Sequence, residues 1–145
     1  MSKSDVWETG LLDLLFKNTD FTGVGDAGGL LGSAAGGSLY FSLHTSDPGE
    51  AGDQESNEIA YTSYDRVAVA RGAGFTVTND SVSPAAAVTF PAGTGGGPTT
   101  ATHFGVGTAS SGAGKLLYSG TVEPNIVCGD GVTPELTTST AITEG

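Results

Sequence analysis

The sequence predicts an all-β, single-domain fold of the β-sandwich or jelly-roll type, with one N-terminal helix and a glycine-rich arm. Two observations predict it. About eight short apolar segments, several alternating with period two, recur roughly every ten residues after Ser38. The one convincing helical periodicity lies before Asn18, so no series of helices exists to cross over a parallel sheet. No repeat of fixed period points to a solenoid or propeller. A length of 145 residues fits one domain, and a domain of that size buries roughly 70% of the surface its unfolded chain exposes. The expected division is residues 1–37 as helix and arm and residues 38–145 as β-sandwich body.

The helix is predicted from an N-cap at Asp5 with Glu8 three residues later, and from Trp7, Leu11, Leu14 and Leu15 on one stripe. Leu12 and Phe16 widen that stripe, so the element either enters the core of its own domain or docks on a neighbouring subunit. Lys17 suits the last turn, and the helix should end near Asn18. Thr22 to Ser38 is too rich in glycine for a regular element and reads as a loop or arm. It is no phosphate-cradling loop, because no strand precedes it and no lysine follows.

Strands then take over. Leu39, Phe41 and Leu43 alternate against Tyr40, Ser42 and His44, and Ser46-Asp47-Pro48-Gly49 supplies the turn. An acidic stretch runs to Glu58. Ile59 to Tyr61, Arg66 to Ala70, Phe75 to Val77, Val88 to Phe90 and Thr102 to Val106 are the next segments, with a turn at Asn79-Asp80. Lys115 to Val122, Ile126 to Cys128 and Leu136 to Ile142 complete the set.

Composition excludes several functions. Sixteen acids against five bases give a net charge of -11, which opposes a phosphate-binding surface, since nucleic-acid affinity rests on Lys and Arg displacing counterions. No apolar run approaches the roughly 20 residues of a membrane span, and the acids among the first eight residues do not fit a secretory leader. Cys128 alone permits no intrachain disulfide and no cysteine-based zinc site, as suits a chain assembled in a reducing cytosol.

Candidate chemistry is sparse. His44 and His103 are the two histidines, both expected on strand surfaces, and no metal-spaced pair or nucleophile elbow accompanies them. Asp47, Glu50, Asp53, Glu55 and Glu58 offer oxygen ligands, but their spacing matches no EF-hand, and a solvated, strongly negative loop is the expected state. Tyr61, Tyr64, Arg66 and Arg71 form an aromatic and basic group whose arginines should pair with carboxylates across a sheet or a subunit interface. No enzymatic activity, metal or cofactor is expected.

The stretch Leu39 to Gly52, with Asn57-Glu58-Ile59-Ala60-Tyr61 and Tyr64 to Arg71, resembles a family of small tailed-phage virion proteins. Ala87-Val88-Thr89-Phe90-Pro91 and Thr102 to Gly120 extend the resemblance over most of Ser38 to Val122. Members are commonly labelled tail fibre proteins, and β-sandwich proteins of similar size serve as head cement or decoration proteins. The resemblance implies a structural role, with no catalytic residue to transfer. A free-standing fibre would need repeats, heptads or a β-helical shaft, none of which the chain shows. The expectation is therefore a capsid decoration or cement protein on the outer head surface that binds the major capsid protein and itself, as a homotrimer or a dimer. The alternative is a tail fibre or baseplate-associated protein. No nucleic-acid or membrane partner is expected. The expected interface comprises Trp7, Leu11, Leu15 and Phe16 on the helix, Leu30 and Leu31 on the arm, and Arg66 and Arg71. Removing Met1 to Gly37 should then leave a soluble β body.

Overall fold

Alternation of Leu39, Phe41 and Leu43 produces the strand on which the larger sheet is built. In the computed structural model, which describes Met1–Gly145, this strand is β1 (Ser38–His44). It follows one helix, α1 (Asp5–Leu12), and a single π-helical turn, Asp13–Lys17. The other strands are β2 (Val67–Ala70), β3 (Phe75–Thr78), β4 (Ser81–Pro84), β5 (Val88–Thr89), β6 (Thr99–Gly107), β7 (Leu116–Cys128), β8 (Glu135–Leu136) and β9 (Ile142–Thr143). The fold is all-β with one N-terminal helix. Its sheets run β2-β1-β6-β7, β3-β4-β9 and β5-β8.

The chain gathers into two compact units. The first holds Met1–Ser38, Val69–Ala87 and Thr137–Gly145, and the second Leu39–Ala68 and Val88–Leu136. The chain therefore passes between them four times.

In the second unit β1 and β6 pair antiparallel from Tyr40↔Gly107 to His44↔His103. β6 in turn pairs antiparallel with β7, its register shifting between Ala101 and His103 and between Val106 and Gly107. Phe41, Leu43, Ile59, Phe90, Phe104 and Val106 form its core, and the Phe41 and Phe104 rings stack at 6.3 Å. The expected polar-outward face of β1 is a correction: Ser42 and His44 are fully buried as well, so both faces of this strand's end are covered.

In the first unit the helix begins at Asp5, and its N-cap lies one residue before the expected one. Ser4 is the N-cap and accepts from the Trp7 amide at 3.4 Å. Asn18 ends the π turn in the left-handed region at φ 57°, a conformation asparagine tolerates better than most residues. Phe16 is fully buried and meets Phe75 of β3 edge-on at 4.9 Å. β3 and β4 form a hairpin with Thr78 opposite Ser81, turning through Asn79-Asp80 with Asn79 at φ 55°. Phe16 packs on Phe75, so removing Met1 to Gly37 would uncover Phe75 in the remaining chain.

Candidate functional site

Two constellations stand out, one in each unit. In the first unit, the glycine-rich segment folds back on itself as a closed loop. Phe21 and Leu30 exchange both backbone hydrogen bonds at 2.9 Å, making a small antiparallel bridge. At its base the Asn18 side chain clamps Ser33, donating to its carbonyl at 2.8 Å and accepting from its amide at 2.7 Å. Asp20 accepts from the Gly32 amide at 2.8 Å, and Asp26 accepts from the Gly28 and Gly29 amides. Gly10 of the helix leaves room for the Phe21 ring, since a Cβ there would stand 2.6 Å from it. Phe21 thus reaches Trp7, their ring centres 5.6 Å apart. Trp7, Leu30 and Leu31 are exposed, Leu31 being 66% accessible, and Phe21 is half-buried.

Arg71 holds the base of this structure. Its guanidinium donates at 2.6 Å to the carbonyls of Leu15 and Leu14 and at 3.2 Å to that of Gly36. The last carbonyls of a helix lack partners within it, and an arginine fork is a suitable cap for them.

In the second unit Arg66 and Glu58 form a nearly inaccessible bidentate pair, both bonds 2.7 Å, with the arginine side chain 3% exposed. Arg66 also donates to the carbonyls of Ala109 and Gly112, at 3.0 and 2.8 Å, and so fixes the loop after β6. Tyr64 donates to Glu58 at 2.8 Å and accepts from the Leu43 amide at 3.1 Å. Burial pushes the Tyr64 phenol well above its ordinary range, and the bond to Glu58 raises the Arg66 guanidinium further. A cleft of about 160 Å³ lies here, lined by Glu58, Tyr64, Arg66 and the Ser110-Ser111-Gly112 loop. Every polar group of the pair is occupied, which suits a structural brace better than a reaction centre.

The acidic stretch is also more organised than a solvated loop. Asp47 accepts from the Gly49 amide, and Asp53 accepts from the amides of Glu55 and Ser56 and from the Ser56 hydroxyl. Gln54, fully buried, accepts from the Ala109 amide at 2.8 Å and fills space that a side chain at Gly107 or Gly114 would need. Glu58 is not unopposed, because its partner Arg66 lies eight residues on.

His44 corrects the expectation of a strand-surface histidine. Its Nδ1 stands 2.8 Å from the Ser56 carbonyl, so Nδ1 carries the proton, and Nε2 accepts from the Ser42 hydroxyl at 2.8 Å. Burial is the main influence and holds its pKa below 6.5; the Ser56 bond and Glu58 oppose this, while Arg66 and His103 assist it. The unfolded chain therefore binds a proton that the folded chain refuses. Stability present above pH 6.5 should fall as pH drops below it. Denaturation midpoints between pH 7.5 and 5.5 should show this decline, with a flatter profile for His44→Gln. His103 is only half-buried and bonds to Thr102 at 2.9 Å.

The family model for the Podophage GP4 fiber I protein gp80 matches residues 2–141. The chain belongs to this family. The gp80 match bears out the resemblance to small tailed-phage virion proteins and carries it beyond Ser38 to Val122, over the helix, the loop and most of the C-terminal strands. No curated protein matches the chain.

Within this gp80 family member the eight expected interface residues separate into groups. Trp7, Leu30 and Leu31 are exposed on the first unit, where Phe21 pairs with Leu30 and reaches Trp7. Leu11 and Leu15 are half-buried, and Phe16 is entirely buried in the same unit. Arg66 and Arg71 are engaged within the chain, on Glu58 and on backbone carbonyls respectively. Phe21 was absent from the expected set although it joins Trp7 to Leu30. Its signal in the sequence is the helix glycine, Gly10, which opens the seat its ring occupies.

Proposed function

We propose that this chain is a structural phage virion protein that decorates the outside of the head, bridges neighbouring major capsid subunits and helps the shell resist the pressure of packaged DNA. It acts mechanically, with no catalytic step. Copies sit at symmetry junctions, a homotrimer at a local threefold being the arrangement with the most attachment points, and modest single contacts combine through effective concentration.

The observation that supports the head over the tail is the shortness of every element within Met1–Gly145. The longest strand has 13 residues and the α-helix eight. At about 3.3 Å per residue that strand reaches roughly 43 Å, and neither element builds a shaft. The charge of -11 further suits the exterior, since packaged DNA would repel it. Gold-labelled antibody against the chain on intact virions tests the reading. Label over the head is the expected result; label confined to the tail would overturn it. The second reading, a tail fibre protein contacting the host surface, is favoured by the fibre description that the family carries.

A further inference from the structure

We infer that the Trp7, Phe21, Leu30 and Leu31 surface is the seat of a different virion protein, one whose contact face is apolar at its centre and bears lysine or arginine at its rim. The inference rests on the reading of the chain as a virion structural protein and holds for head or tail. Three observations carry it. Trp7, Leu30 and Leu31 are exposed and Phe21 half-buried, yet the surface is built: the Phe21 to Leu30 bridge, the Asn18 clamp on Ser33 and the Asp20 and Asp26 caps fix the loop before any partner arrives. A fixed loop loses little conformational freedom on docking, so its apolar area counts toward affinity. A partly exposed tryptophan beside another aromatic ring is also the side-chain type that most often anchors an interface.

The third observation is charge, and it selects the occupant. Asp5, Glu8, Asp20 and Asp26 flank the cluster along the helix and loop. The bases of this unit are spent elsewhere: Lys3 pairs with Glu144, Lys17 donates to the Phe75 carbonyl, and Arg71 caps the helix. A second copy of the chain would therefore set the same acids against each other around the apolar centre, whereas a basic rim would neutralise them.

The test places a photo-crosslinking phenylalanine at Leu31 of the full chain, supplied during infection so that it enters assembled particles, with Thr133 of the other unit as control position. Immunoblotting of purified particles first establishes that the chain is present. The expected product joins Leu31 to another virion protein, through a peptide carrying Lys or Arg beside apolar residues. A head partner supports both this inference and the decoration reading; a tail partner supports the inference and overturns decoration. A product between two copies of the chain, or no product above that from Thr133 on particles that carry the chain, overturns the inference alone. Absence of the chain from particles overturns both. Leu31→Glu supplies a second arm, expected to lower the copies per particle at least about tenfold while leaving the denaturation midpoint unchanged. An unaltered copy number would overturn the inference.

Discussion

Replacing Arg66 by methionine should lower the stability of the second unit by about 3–5 kcal/mol, the usual cost of stranding one partner of a buried ion pair. The size follows from how much one guanidinium holds. Its loss leaves the Glu58 carboxylate 15% exposed with a tyrosine as remaining donor, and frees the carbonyls of Ala109 and Gly112 at once. Lysine is no substitute, because a point charge cannot make the two parallel bonds to Glu58 and still span both carbonyls. Glu58→Gln should cost less, since an amide oxygen still accepts from Arg66. Urea denaturation followed by far-UV circular dichroism checks the order; an Arg66→Met midpoint equal to that of the native chain would refute the brace.

The second large effect is expected at Phe16. Phe16→Ala should cost about 3–5 kcal/mol in the first unit, through lost transfer energy and the cavity left against Phe75. The contrast with Trp7 is informative. Trp7 is 38% exposed, so Trp7→Ala should cost clearly less stability while impairing attachment. Paired denaturation and particle-incorporation measurements separate the two. Equal stability losses would mean that Trp7 belongs to the core rather than to the docking surface.

Much of the architecture could be read from period and punctuation. β1 followed from Leu39, Phe41 and Leu43, and the helix from its broad stripe, because local patterns are enough to specify both. β4 was passed over, although Val77 and Val82 opposite each other across Asn79-Asp80 were its signal, a two-residue turn between alternating segments. Lys115 to Val122 and Ile126 to Cys128, read as two strands, are one long β7 whose register shift absorbs Glu123 to Asn125. Leu136 to Ile142, read as one, contributes only to β8 and β9 at its ends.

The site was less legible, for a physical reason. The partners of Arg66 are set by where the loop ending at Glu58 and the loop after β6 arrive, and nothing in the local sequence encodes that arrival. His44 is similar: alternation assigned it to the outer face, but the Ser56 carbonyl comes from a loop that covers that face. The glycine-rich segment was correctly read as irregular, while its closure depends on the side chains of Asn18, Asp20 and Asp26, each bonding to a backbone group that only the finished fold brings near.

The four passages of the chain between its units also bear on the order in which the units can close. β9 pairs with β4, and the Glu144 amide bonds to the Asp80 carbonyl at 2.8 Å, so the first unit cannot complete its sheet until Ile142 has left the ribosome. The second unit has all of its residues once Leu136 is out. Until Ile142 follows, Val82 lacks its partner in β9. The second unit can therefore close before the first. Lys3 pairs with Glu144, which brings the first and last segments of that unit side by side.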